Sequence, residues 1–297
     1  MRRAATLLLT LAGVCAGTSL AAQIRVTDAR GHAVMLDRPA QRIISLAPHI
    51  TELLFAAGAG DRVVGVVDYS DYPEAAKHLP RIGNLRALDL ERIVALKPDL
   101  VVVWLHGSSM RQLDRVAALG LPIFHSEPRR LEDVAIELDR LGVLAGTEVA
   151  AARAAQAYRA RLAGLRARYA GRRPIDVFYQ VWTRPLLTVN DQHLISRVLR
   201  LCGGRNVFGA LAPLVPEVSI EAVVVANPRA ILTASVAPEY DREALALWHD
   251  WPRIAAVARG NLYTIDADLI SRDTPRILDA AQAVCERLDA ARREAAR

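Results

Sequence analysis

From about residue 40 onward, short apolar runs bounded by polar turns alternate with segments whose apolar residues recur every three or four positions. The runs predict buried strands at 42–46, 63–67, 100–104 and 122–125. The recurring segments predict helices at 50–57, 90–96, 110–119 and 131–144. Strands and helices following one another at this spacing imply βαβ units around a largely parallel sheet. Leu100-Val101-Val102-Val103 shows no alternation, as a strand covered on both faces requires. The pattern then starts again, with strands at 175–180, 230–233 and 262–265 and helices at 192–201, 220–225 and 275–291. Between the two sets lies 148–169, rich in Ala, Arg and Leu and free of proline, with Gly146 before it and Gly171 behind. One rigid helix of about six turns is expected there.

The two sets are related to each other. Residues 89–101 (DLERIVALKPDLV) reappear as 219–231 (SIEAVVVANPRAI), an offset of 130. Each copy reads as an N-cap residue, a short helix with Glu in its first turn, a stop before proline and a buried strand. Residues 53–65 align in the same way with 197–209. At 297 residues the chain suits two domains. The expected fold is α/β, two Rossmann-like lobes joined by one long α-helix with a ligand cleft between them. The expected boundaries are a signal peptide at 1–22, an N-terminal lobe at 23–145, the linking helix at 146–172 and a C-terminal lobe at 173–297.

The N-terminus changes the picture of where the chain works. Arg2 and Arg3 precede an apolar stretch at 7–14 and small residues near 19–22, the layout of a secretory signal peptide. That stretch is too short to span a bilayer, and Gly13-Val14 fits a lipidation box before Cys15 poorly. A soluble periplasmic protein is expected. Once Cys15 leaves with the signal, Cys202 and Cys285 remain, and an even pair in an oxidising compartment reads as one disulfide, against two separate buried thiols. Neither cysteine has a metal-ligand partner at a suitable spacing, so no metal site is expected. The formal charge of +6 falls to +4 without Arg2 and Arg3, and the remaining arginines are scattered, which leaves nucleic-acid binding unsupported.

Catalytic signatures are missing: there is no G-x-S-x-G elbow, H-E-x-x-H or P-loop, and Gly58-Ala59-Gly60 follows a helix as a C-cap turn would. No enzymatic activity is expected. What remains is a set of aromatic and polar residues just after strands: Asp68-Tyr69-Ser70-Asp71-Tyr72-Pro73, Trp104 with His106, and Trp182. In parallel sheets ligands gather beyond the carboxyl ends of strands, so these residues are placed to face a cleft.

DYSDYP (68–73), LERIVALKPDL (90–100), CGG (202–204) with Asn206 and Phe208, Val218-Ser219 with Glu221, and Ser271-Arg272 with Pro275-Arg276-Ile277 give the chain a likeness to a known group. Over its whole mature part it resembles the periplasmic vitamin B12 (cobalamin)-binding proteins of ABC-type importers, members of the helix-linked (class III) substrate-binding proteins. The resemblance implies that Tyr69 stacks on the corrin ring, that Trp104 lies in the cleft, and that Asp268, Leu269, Ile270, Ser271 and Arg272 contact the ligand from the second lobe. It implies that Cys202 and Cys285 form the family's disulfide, and that Glu91 and Glu221 dock on arginines of a permease dimer that works with ATPase subunits. Cobalamin would be cargo and not a resident cofactor, carried by a monomer. The sequence departs from the family at Leu85, Leu187 and Val215, where the family has large aromatics, and at Trp182, where it has a small residue and this chain adds a candidate ligand contact. Another corrinoid therefore stays open, as does a haem or ferric siderophore with Tyr69, His49 or His106 on the iron.

Overall fold

The first element pair is a small antiparallel hairpin, β1 (Ile24–Thr27) and β2 (Ala33–Leu36), in which Val26, Val34 and Leu36 point inward. The computed structural model describes residues 23–294 except 85, 106, 108 and 236. The expected signal peptide with its Cys15, and also Leu85 and His106, lie outside the described residues.

The first parallel sheet follows, made of β3 (Ile43–Ser45), β4 (Val63–Val66), β5 (Leu100–Trp104) and β6 (Ile123–Ser126) in the order β4-β3-β5-β6. Helices α1 (Pro48–Ala56), α2 (Leu90–Ala95) and α3 (Met110–Ala117) lie in its crossovers. Then come α4 (Leu131–Ala145), which ends at left-handed Gly146, and α5 (Glu148–Tyr169), the linking helix. The second sheet contains β7 (Ile175–Gln180), β8 (Gly204–Asn206), β9 (Ala230–Ser235) and β10 (Leu262–Asp266), with α6 (Leu194–Leu201) and α7 (Ile220–Ala226) between strands. After β9 come α8 (Pro238–His249) and α9 (Ala255–Ala258), and after β10 come α10 (Ala267–Ile270) and α11 (Ile277–Glu294).

The second sheet runs β8-β7-β9-β10, all parallel, the same topology as the first. The repeat is therefore structural. α2 and α7 stand at equivalent places, each capped by a side chain, Asp89 onto the Arg92 amide and Ser219 onto the Ala222 amide. Six elements lie outside the sequence expectations: β1, β2, β8, α8, α9 and α10. β1 and β2 are four-residue strands, β8 begins at Gly204, just past the helix expected at 192–201, and α8 buries Ala244 and Trp248 among its described side chains.

α5 is not a free tether. Ala151, Ala155, Tyr158, Leu162, Leu165 and Tyr169 recur at steps of three and four and are buried, and the Tyr158 hydroxyl donates to the Leu131 carbonyl at 2.7 Å. A Cβ at Gly142 would sit 2.3 Å from that of Ala151, so the approach of α4 to α5 depends on glycine there. One continuous core includes these residues together with Ile43 and Leu100 of the first sheet and Val177 and Leu232 of the second. Each fully buried large side chain in it contributes about 1.5–3 kcal/mol, which makes the linker part of the packed structure rather than a hinge of loose chain. In the second lobe Cys202, at the end of α6, is bonded to Cys285 of α11 with Cα atoms 4.6 Å apart, as expected.

Candidate ligand-binding cleft

Candidate residues follow the carboxyl ends of strands in both sheets. Trp104 ends β5, Glu127 follows β6, Tyr69 stands three residues after β4, and Asp268 lies just past β10. A cavity of about 400 Å³ is walled on one side by Trp104, Glu127 and Arg129, and on the other by His193, Leu214 and Asp273. The lobes thus share a pocket at the place where parallel sheets bind ligands.

The Tyr69 loop is built to hold an aromatic ring in solvent. Tyr69 is 79% exposed, and its backbone sits in the left-handed region at φ 65°, which L residues adopt at a cost of about 1 kcal/mol or more. The next residue anchors it: Ser70 is fully buried and accepts from the Thr51 hydroxyl at 3.1 Å, which is itself 2.8 Å from Ser45. Arg81 donates to the carbonyls of Val67 and Ser70 at 3.0 and 2.9 Å.

From the second lobe, Arg272 reaches across. It donates to Glu52 at 2.8 Å and to Asp71 at 2.9 Å, meets Asp268 at 2.7 Å, and touches the Tyr69 carbonyl at 3.4 Å. Arg276 grips the same Glu52 through two bonds, at 2.9 and 2.7 Å, and lies 3.7 Å from the centre of the Tyr72 ring. Glu52 is 2% exposed at its side chain, so this buried carboxylate is neutralised by two guanidinium groups from the other lobe. A cross-lobe clamp therefore sits directly behind the exposed tyrosine.

Trp104 lines the cavity and packs edge-on against His49, with ring centres 5.1 Å apart at 85°. A Cβ at Gly107 would fall 1.7 Å from the Trp104 ring, so only glycine lets the indole fold back there. His49 is buried; burial, and then the charge of Arg272, hold its pKa down at about 3, so the imidazole is neutral. His193, at the N-cap of α6, is lowered to about 4 by burial. Asp273 goes the other way: burial, and then the charge of Glu127, push its carboxyl up to about 7.

The structure brings Tyr69, Asp268 and Arg272 into one cluster, with Trp104 in the adjoining cavity wall. Ser271 is exposed beside them, whereas Ile270 is buried and Leu269 packs on the core, so these two support the segment from behind. Trp182 is half-exposed on a separate turn, where its indole donates to the Arg184 carbonyl at 3.0 Å. Bridges pair Trp182 with Leu187 and Leu187 with Glu217, which sets that turn beside the loop carrying Leu214 and Val215. Exposed aliphatic side chains of Leu211, Leu214 and Val215 line this edge, beside Leu187.

Glu91 and Glu221 are exposed in the first turns of α2 and α7. The Glu221 carboxyl is lowered by its own backbone amide and then by the Ser219 hydroxyl. Sequence reasoning missed Glu52, Arg276, Glu127 and Asp273. For Glu52 a signal existed, because a carboxylate inside the apolar run Ile50 to Phe55 requires a cationic partner somewhere.

The family model described as "Periplasmic binding protein" matches residues 43–269. The vitamin B12-binding protein of Vibrio cholerae is 38% identical over 257 residues, which is 86% of this chain and 92% of that protein. Among solved structures, the periplasmic vitamin B12 binding protein BtuF of Vibrio cholerae superposes with a TM-score of 0.78 at 39% identity, covering 86% of this chain and 98% of that one. The periplasmic heme-binding protein RhuT of Roseiflexus sp. RS-1 superposes with a TM-score of 0.74 at 26% identity over 85% and 99% of the two chains.

Proposed function

The chain belongs to the periplasmic binding protein family, and we propose that it captures cobalamin or a related corrinoid between its lobes and delivers it to an ABC permease. The observation that carries this reading is the 39% identity to a B12 binder across 86% of the chain, well above the 26% to a heme binder of the same fold. The geometry supports it. A ring-shaped ligand too large for the 400 Å³ cavity alone would rest on Tyr69, with Trp104 and the aliphatic edge at Leu214 and Val215 around it. Arg272, Asp268 and Ser271 would meet its polar periphery. Aliphatic side chains at Leu187 and Val215 still supply apolar area to a corrin, so the departures alter the grip and not the class of ligand.

Export by the signal peptide at 1–22, lobes at 23–145 and 173–297 and a linker at 146–172 belong to the same proposal. So do the partners: Glu91 and Glu221, on equivalent capped helices of two lobes that share one core, would present paired negative charges to a two-fold permease with its ATPase subunits. Calorimetric titration of the purified protein with cyanocobalamin is expected to show stoichiometric binding, while added haem leaves its Soret band unmoved. No heat and no thermal shift at saturating cyanocobalamin would refute the proposal. Replacing both glutamates by alanine is expected to leave that titration unchanged and to weaken binding to permease in detergent or nanodiscs at least tenfold.

A further inference from the structure

Beside the cleft lies a second cavity, of about 490 Å³, where the start of α4, the end of α5 and the middle of α6 converge. Its walls carry Arg130, Arg166, Arg172, Arg197 and Arg200 against a single carboxylate, Glu132. It continues the seam between the lobes: α6 gives Leu194 to the cleft and, one turn on, Arg197 to this cavity, while Arg129 and Arg130 divide between the two in the same way.

Helix dipoles account for part of this charge. Arg166 and Arg200 stand in the last turns of α5 and α6, where a cation is favourable. They do not account for Arg130, at the N-terminal end of α4 where a cation is disfavoured, or for Arg197 within α6. Four of the five arginines have a carboxylate: Arg130 with Asp133 at 2.8 Å, Arg166 with Glu132, Arg172 with Asp289 at 3.4 Å, and Arg200 with Asp191 at 2.9 Å. These four are 44–62% exposed at the side chain and use only one or two of their five N–H donors in those pairs, so most donors stay open to a further acceptor. Arg197 differs. It has no carboxylate among the described residues, and its Nε is buried with no hydrogen-bond partner, so its charge is uncompensated by the protein and only its outer guanidinium nitrogens are left to meet the cavity.

We propose that this cavity is a binding site for a small molecule carrying two or more phosphate or carboxylate groups, with Arg197 as its central contact and the half-exposed arginines as its rim. Its size is that of a small-ligand pocket, and guanidinium forks match both kinds of oxyanion in bidentate fashion. Because α4, α5 and α6 all contribute, such an anion would bridge the two lobes at their linker. The site is independent of the ligand in the cleft.

The test is calorimetric titration of the full mature protein with pyrophosphate and, separately, with citrate, in 20 mM and 150 mM NaCl. The parent is expected to bind at least one of the two probes, more weakly at the higher salt. Arg197→Met is expected to bind at least tenfold more weakly and Arg200→Gln at least threefold, with cyanocobalamin binding unchanged in both variants. Binding of pyrophosphate alone supports a phosphate ligand, and of citrate alone a polycarboxylate. If neither probe binds, or if Arg197→Met binds as the parent does, the proposal is overturned. Where Arg197→Met fails to fold, Arg200→Gln decides, and an unchanged affinity in that variant overturns it. Failure of cyanocobalamin to bind would count against the function of the cleft and leave this result standing.

Discussion

Glu52→Gln removes one negative charge from the centre of the cross-lobe clamp while keeping the size of the side chain. Arg272 would still have Asp71 and Asp268, at 2.9 and 2.7 Å, but Arg276 would be left without a carboxylate, keeping one neutral amide oxygen and the face of Tyr72. Breaking a buried pair by removing one partner costs about 3–5 kcal/mol, because the other charge stays desolvated. Here the cost belongs near the lower end, about 3 kcal/mol, since the Arg276 side chain is 21% exposed and Arg272 retains two carboxylates. With a urea m-value of about 3 kcal/mol/M for a chain of this size, the unfolding midpoint falls by about 1 M. The assay is urea unfolding followed by tryptophan fluorescence, run on Glu52→Gln, Arg276→Gln and the double variant. In the double variant much of the loss should return, because no guanidinium is left stranded on the missing carboxylate. A midpoint within 0.2 M of the parent for Glu52→Gln, or strictly additive losses in the double variant, would refute the claim that these charges lock the lobes together; both thresholds follow from the linear relation used above.

Tyr69→Ala removes a ring that is 79% exposed, so stability should be nearly unchanged while cyanocobalamin affinity drops about thirtyfold, or about 2 kcal/mol, by calorimetry; equal affinity would exclude Tyr69 as a ligand platform. His49 and His193 on one side and Asp273 on the other impose opposite pH dependences. His49 and His193, lowered to about 3 and about 4 from 6.5, contribute stability that is present above pH 6.5 and lost as the pH falls towards those values. Asp273, raised to about 7 from 3.8, contributes stability that is fully present below 3.8 and lost as the pH rises through 7. Urea midpoints at pH 4.5, 6 and 7.5 should therefore show Asp273→Asn gaining on the parent as the pH rises, and His193→Asn gaining as it falls; parallel curves for all three proteins would contradict both assignments. Replacing Cys202 and Cys285 by alanine opens a loop spanning 83 residues, which by chain entropy alone lowers stability by about 4.5 kcal/mol. An unchanged urea midpoint would remove the bridge from the account of what holds the second lobe.

The sequence by itself determined the two lobes, most of their strands and the linking helix, because those features are periodic. Apolar runs at 100–104 and 175–180 reappear as β5 and β7 with the same bounds, and 148–169 reappears as α5. The repeat at 89–101 and 219–231 carried the topology as well, since each copy folds into the same helix and strand of the same sheet order. Residues just after strands could be marked as cleft candidates for the same reason. What only the tertiary structure decided is which side chains meet. Glu52 and Arg276 are separated by 224 residues, and nothing local to either announces the other. Leu269 and Ile270 sit beside Arg272 in the chain, yet the short helix α10 turns them towards the core while Asp268 and Arg272 pair with each other and Arg272 with Glu52 and Asp71 of the first lobe. The five arginines around the second cavity come from α5 (Arg166), α6 (Arg197 and Arg200) and the residues just before α4 (Arg130) and just after α5 (Arg172), and read in sequence as an ordinary scatter of charge. Periodicity is a property of the local chain, whereas charge compensation and convergence are properties of the folded arrangement, and function at this cleft depends on the second.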